Sequence, residues 1–222
     1  MPGRRPAVHV ASNPALAGVL LRLRDRGTDR ERFRELMELA GILLGYEAAR
    51  FLRTREDSAE TPLGAVARVE RAADEDLVVV AVLRAALPMA LGVLRLFPRA
   101  SLGFVAAARL EDTARREAGR LHFDVDMAYW KLPPVEGKDV LLVDPMLATG
   151  STLSRIAARI VAEKPARVVV VSLIAARQGI EVVSEALGGV ESAIVVAAVD
   201  PELDQRGFIV PGLGDAGDRS FG

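Results

Sequence analysis

The stretch Asp139-Val140-Leu141-Leu142-Val143-Asp144-Pro145-Met146-Leu147-Ala148-Thr149-Gly150-Ser151-Thr152 decides how this chain is read. Val140 to Val143 is a short, continuous apolar run, which suits a strand buried on both faces of a parallel sheet. From Leu153 the apolar positions fall at Leu153, Ile156, Ala157, Ile160 and Val161, the spacing of a helix with one buried stripe. The loop between them therefore joins the carboxyl end of a strand to the amino end of a helix. In open α/β sheets ligands bind there, and the free N–H groups and positive dipole end of the helix favour an anion. Thr149, Ser151 and Thr152 supply hydroxyl donors, while Gly150 lets the backbone approach a ligand closely. Asp144 would repel a phosphate placed beside it, but as a pure acceptor it can take hydrogen bonds from sugar hydroxyls or sit near a magnesium ion. The corner reads as a sugar-phosphate site. It is not a Walker loop, because the G-x-x-x-x-G-K-[ST] spacing and its lysine are missing. The plainer alternative is that 149–152 only cap a helix and Asp144 only ends a strand.

Working outward, the other segments alternate in type. Residues 30–51 carry Phe33, Leu36, Met37, Ala40, Leu43 and Leu44 on one helical face. The polar text of 53–76, with Thr61-Pro62-Leu63-Gly64, reads as a loop or β-arm. Strands are expected over 77–83, 102–107, 167–174 and 193–199, and helices over 87–97 and 180–187. Residues 109–131 read as a charged excursion, a flexible arm. Strands alternating with helices imply a doubly wound, mostly parallel α/β sheet flanked by helices.

Composition sets outer bounds. A chain of 222 residues with 50% hydrophobic content can bury one substantial core, so a single domain over 1–222 is expected. A formal net charge of −1 argues against nucleic acid as a partner held by bulk electrostatics. The absence of cysteine excludes disulfides and thiol catalysis. His9 and His122 have no partner at metal-like spacing, and His122 with Asp124 and Asp126 reads as a solvated arm before a metal cluster. No segment reads as a signal peptide or membrane span, so no membrane partner and a cytoplasmic location are expected.

The run VLLVDPMLATGST closely resembles the phosphoribosyl-diphosphate (PRPP) motif of uracil phosphoribosyltransferases of the type I fold, and a second match closes the sequence. Gly207 to Gly222, reading GFIVPGLGDAGDRSFG, resembles that family's uracil-binding tail, a hood over 200–222. Within it Gly212-Leu213-Gly214-Asp215-Ala216-Gly217 satisfies G-x-G-x-x-G, but the dinucleotide fingerprint also needs a preceding strand and an acid about 20 residues on. A glycine-rich loop fixed by Pro211 instead offers backbone donors and acceptors to a small planar base.

The resemblance implies the reaction of uracil with PRPP to give UMP and diphosphate, in pyrimidine salvage, with Mg2+ carried by PRPP and no direct metal ligand on the protein. It implies PRPP binding by Arg84, Arg109, Asp144, Pro145, Met146, Leu147, Ala148, Thr149, Gly150, Ser151, Thr152 and Asp215, and uracil binding by Ile209, Gly214, Asp215 and Ala216. Arg84 and Asp215 are the implied catalytic pair, and Arg84 and Arg109 the implied diphosphate clamps, since a guanidinium forks onto phosphate oxygens at any working pH. Asp200 resembles a further family position near the active site, although a strand-ending turn accounts for it equally. A homo-oligomer, dimer or tetramer, and GTP as a nucleotide effector are implied as partners. Two positions depart from the bacterial pattern: Ala86 stands where L-R-A-G-L has glycine, and Ser151-Thr152 replace Gly-Ser. Alanine resists positive φ, so the loop backbone at Ala86 becomes the point to inspect. Two other readings stay open, a phosphoribosyltransferase for another base and a PRPP or nucleotide sensor with weak catalysis; the tail speaks against the first.

Overall fold

The computed structural model describes residues 5–222. In chain order the elements are β1 (Ala7–Val10), α1 (Pro14–Arg24), α2 (Arg30–Ala49), β2 (Thr54–Glu60), β3 (Val66–Ala72), β4 (Leu77–Leu83), α3 (Leu87–Leu96), β5 (Ser101–Glu117) and β6 (Arg120–Lys131). They continue as β7 (Asp139–Val143), β8 (Met146–Leu147), α4 (Ser151–Ala162), β9 (Arg167–Ala176), α5 (Arg177–Ala186), β10 (Glu191–Asp200), β11 (Glu202–Leu203), β12 (Ile209–Val210) and α6 (Ala216–Phe221). The main sheet runs in the order β1-β10-β9-β7-β4-β5-β6, with β8 adding to β9. All its pairings are parallel except β5 with β6.

The strands are where continuous apolar runs demand burial on both faces. Every residue of β7 is buried, as is β4 from Leu77 to Val82. The core joins these strands to the inner faces of α1, α2, α3 and α4 through Leu23, Phe33, Met37, Met89, Ile156 and Ile160. In the helix after the decisive loop, Leu153, Ile156, Ala157 and Ile160 are buried, the stripe expected from their spacing. The chain leaves β4 for β5 on one side, while β7 lies on the other. The carboxyl ends of β4 and β7 therefore flank a topological switch point, the usual mouth of an open α/β sheet.

The structure narrows one segment of the sequence reading and differs from it at two. The polar 53–76 stretch forms the antiparallel ribbon β2–β3, exposed along nearly its whole length. Its base is cemented by Asp74, which accepts from Arg99 N at 3.1 Å and from Arg71 Nη1 at 3.0 Å. The charged excursion over 109–131, for which no strand was expected, is the outer half of β5 and all of β6, a paired antiparallel ribbon. The physical reason is burial on one face only: Leu121, Phe123 and Val125 alternate inward while their neighbours face out. Finally, β1 and α1 were not anticipated. Asn13 caps α1 by accepting from Ala15 N at 2.9 Å, Pro14 opens it, and Leu16, Val19, Leu20 and Leu23 bury its inner stripe.

Candidate active site

A cavity of about 500 Å³ opens at the switch point, within the range of small-molecule sites. Its walls come from the loop after β4, the middle of β5, the loop after β7 with the start of α4, and the tail from 207 to 217. All the site residues expected from sequence line it except Pro145. Pro145 is buried, and its carbonyl accepts from Leu173 N at 3.1 Å and Ile174 N at 3.2 Å. It pins the loop to β9 and does not line the cavity. Together with Asp144 N donating to Val171 O at 3.1 Å, these bonds make the loop a continuation of the sheet edge.

The amino end of α4 is left open. Gly150 occupies the cap position at φ +83°, a left-handed conformation, and no side chain caps the helix. An added Cβ there would also meet Val182 Cβ at 2.9 Å, so glycine is required twice over. The first N–H groups of a helix lack intrahelical acceptors. Here Gly150, Ser151, Thr152 and Leu153 all border the cavity, an arrangement in which the free N–H groups can meet an anion. The hydroxyls are not equivalent. Thr149 Oγ1 donates to Ser151 Oγ at 3.1 Å and accepts from Ser151 N at 3.3 Å, so its donor is already used inside the protein.

Asp144 is half-buried on the cavity wall, and its carboxyl receives only a long 3.4 Å hydrogen bond from Met146 N. Burial pushes its pKa up to about 7, against the smaller opposing pulls of the Met146 N–H and the Arg109 charge. A carboxylate so poor in donors fits a ligand bringing hydroxyls or a divalent cation. Arg84, in the loop after β4, is exposed and its Nη2 lies 3.1 Å from Asp218 Oδ1 of α6. Ala86, buried behind it, has φ −77°, so the position itself does not need glycine. Ser151 is likewise helical, and Gly150 alone carries the left-handed turn of that corner.

Arg109 sits in mid-strand. Its guanidinium lies between the Phe123 ring at 4.8 Å and the Phe208 ring at 5.7 Å, and Nη1 donates to Gly207 O at 3.4 Å. The two arginines thus occupy different walls, one against α6 and one between the β5–β6 ribbon and the tail. Sequence reasoning missed Phe208, which lines the cavity, and Phe123, which packs against Arg109 from outside the lining; for Phe123 the alternation of Leu121, Phe123 and Val125 was the available signal.

The tail is held from outside the cavity. Arg24 donates to both carboxylate oxygens of Asp200 at 2.7 Å and to Gly212 O at 2.9 Å, while Gly212 N donates to Asp200 Oδ2 at 3.0 Å. Burial opposes the charge on Asp200, but Arg24 and the Gly212 N–H overcome it and hold the carboxyl below its ordinary pKa. Asp200 therefore anchors the loop, and it does not line the cavity. Gly212 has φ +61°, and a Cβ there would overlap the Ile209 carbonyl. Arg219 donates to Leu213 O at 2.8 Å, Asp25 O at 2.6 Å and Leu23 O, and its guanidinium lies 4.3 Å from the centre of the Phe33 ring. Asp215 caps α6, its Oδ1 accepting from Asp218 N at 2.9 Å while the residue borders the cavity.

An uncapped helix end, a carboxyl poor in donors and a glycine-rich tail thus share one cavity. The family model described as uracil phosphoribosyltransferase matches residues 10–222. The chain belongs to the uracil phosphoribosyltransferase family. Among its relatives, the uracil phosphoribosyltransferase of Pyrobaculum islandicum is 43% identical over 205 residues, covering 91% of this chain and 93% of that protein. The one from Sulfolobus acidocaldarius is 39% identical over 217 residues, 97% of this chain and 99% of its own length. A solved structure of a protein from Aquifex aeolicus shares 33% identity with a TM-score of 0.85, covering 96% of this chain and 97% of that one. Family membership makes the chain a pentosyltransferase of the type I phosphoribosyltransferase fold. Among the described residues no helix is long and apolar enough to cross a membrane.

Proposed function

We propose that this cavity transfers the phosphoribosyl group of PRPP to N1 of uracil, releasing diphosphate and forming UMP for pyrimidine salvage. The observation that carries the reading is the uncapped α4 terminus sharing one cavity with Asp144 and the Ile209 to Ala216 tail. The Thr149 to Thr152 corner would hold the 5-phosphate, with the Ser151 and Thr152 hydroxyls adding to the helix-end N–H groups. Asp144 would accept from the ribose hydroxyls. Ile209, Gly214 and Ala216 would border the uracil edge, and Asp215 would touch both substrates. Arg84 would meet the leaving diphosphate, and Arg109, held by two rings, would add positive charge on the opposite wall.

In the reaction the uracil N1–C1 bond forms as the C1–O bond to diphosphate breaks, and the N1 proton leaves the base. Positive charge builds on the ribose ring and negative charge on the leaving group. Groups preorganised toward those charges lower the barrier most. Holding both reactants in line supplies a large further share through effective molarity. Asp215 would stabilise the ring charge or take up the N1 proton. Magnesium, arriving on PRPP, would neutralise the diphosphate, and the donor-poor Asp144 carboxylate fits a place beside it or its waters.

The raised pKa of Asp144 gives the reading a pH signature. Ribose hydroxyls bind the ionised form, so kcat/KM for PRPP should rise as pH increases through about 7 in the free enzyme. An Asp144→Asn variant should lose that limb of the profile. Folding has the opposite sign: the native state holds this proton while the unfolded chain has released it, so ligand-free stability should fall as pH climbs from about 4 to about 7. Titrating wild type and Asp144→Asn side by side separates this from ionisation of PRPP itself; identical profiles would remove Asp144 from the role.

Homo-oligomers belong to the same proposal. The β2–β3 ribbon stands clear of the main sheet with Leu63 94%, Val66 60% and Val69 59% exposed, and a lone two-stranded ribbon is marginal in water. A second copy of this chain would give it a surface. The deciding assay incubates the protein with PRPP, magnesium and uracil, cytosine, hypoxanthine, guanine or orotate, with and without GTP, following nucleotide and diphosphate. UMP alone is expected. Turnover of another base would overturn the tail assignment, and silence with every base would favour a PRPP sensor.

A further inference from the structure

The β5–β6 ribbon and the phosphate corner are tied together by one side chain outside the cavity. Gln178, half-buried in the first turn of α5, accepts from Leu121 N at 2.9 Å through Oε1. Its Nε2 donates to Leu121 O at 2.6 Å and to Thr149 O at 3.1 Å. The amide thus pairs with Leu121 as a neighbouring strand would, and places its second N–H on the phosphate loop. Two residues along the ribbon, Phe123 N donates to Ser151 Oγ at 3.1 Å, a bond buried from solvent. Thr149 Oγ1 donates to the same oxygen at 3.1 Å. A serine hydroxyl has two acceptor sites and one donor. Both acceptor sites of Ser151 are occupied by the protein, so its hydrogen is the capacity left for a ligand in the cavity that Ser151 borders.

We propose that Gln178 is a positioning residue for the sugar phosphate: by holding the ribbon in register it keeps the Phe123 N–H on Ser151 and the Ser151 hydroxyl aimed at the anion. The inference rests on the phosphoribosyl reading of the cavity. The other ties between ribbon and α5 are Arg120 Nη2 to Glu181 and Arg120 Nη1 to Glu185, both 2.9 Å, with both carboxylates exposed. Exposed pairs of this kind contribute little. The amide, half-buried and bonded three times, is the hold that decides register. It reports on PRPP and not on uracil, because no bond of Gln178 reaches the tail.

Two variants test it. Gln178→Ala removes all three bonds. Gln178→Glu keeps the size and the acceptor for Leu121 N–H, but it has no donor and turns a carboxylate onto the Leu121 and Thr149 carbonyls. Both should raise KM for PRPP by about tenfold, the factor that 1.4 kcal/mol represents. The KM for uracil at saturating PRPP and kcat should stay within roughly twofold, well inside that factor. In ligand-free protein the Leu121 and Phe123 amides should exchange faster with deuterium in both variants. A Gln178→Glu protein with wild-type KM for PRPP would reduce Gln178 to filling space and overturn the inference, as would unchanged exchange at the two amides. If Gln178→Ala does not fold, Gln178→Glu and the exchange measurement carry the test. A wild-type protein without turnover on PRPP overturns the reading of the cavity instead, and the exchange result then judges the tie by itself.

Discussion

Arg84→Ala is expected to lower kcat by about 10²-fold or more, the range seen when one preorganised donor to a developing negative charge is removed. The expectation follows from where Arg84 stands. It sits in the loop after β4, on the cavity wall, free of the core, with its fork available to a diphosphate. Its present partner is Asp218, and the two side chains are 61% and 65% exposed. An exposed pair is worth ~0–1 kcal/mol, so an arriving diphosphate displaces Asp218 at a cost of at most about fivefold in affinity. Asp218→Asn should therefore shift KM for PRPP downward by no more than that factor. Arg84→Lys should recover part of the loss, since the charge returns without the bidentate fork. None of these changes should move the melting temperature by much, because surface substitutions away from packed features stay within about 0.5 kcal/mol. An Arg84→Ala protein with kcat within threefold of wild type and an unchanged melting temperature would take the leaving-group role from Arg84.

How much of this could be read beforehand depended on whether a residue's task is local. The β7 strand and α4 were legible because one apolar run and one helical stripe lie on either side of the loop, and burial enforces both periods. Ala86 and Ser151 looked like departures from a glycine pattern, yet both have helical backbone, so side-chain comparison alone overstated the difference. The β5–β6 ribbon was misread because Arg109 to Glu117 leaves the sheet with mostly exposed side chains, and only the facing Leu121, Phe123 and Val125 carry period two. The α1 helix did carry its signals, Pro14 at the start and apolar residues at 16, 19, 20 and 23. What no local reading supplies is the task of Arg24, whose carboxylate partner lies 176 residues away at Asp200. The same holds for Gln178, whose side chain behaves as a strand neighbour from a helix. Long-range hydrogen bonding leaves no periodic trace in the chain.

Asp215 has two separable tasks, and substitution can part them. Its carboxylate caps α6, accepting from Asp218 N at 2.9 Å, and it borders the cavity where uracil and PRPP would meet. Asparagine caps a helix about as well as aspartate, whereas alanine forfeits about 1 kcal/mol. Asp215→Asn should therefore leave α6 and the melting temperature intact while removing the charge. If that charge balances the ribose cation or takes the N1 proton, kcat falls by about 10²-fold or more, the usual contribution of a positioned acid or base. Asp215→Ala should show the same kinetic loss together with a lower melting temperature. A purely structural Asp215 predicts another pattern: Asn active, Ala impaired in step with its lost stability. The pattern matters beyond one residue, because α6 also carries Asp218, the partner of Arg84, and Arg219, which binds the tail to α1. Disturbing the cap would move together the walls proposed for the diphosphate and for the base. Only the asparagine variant, which keeps the helix, can show whether the cavity needs the negative charge itself.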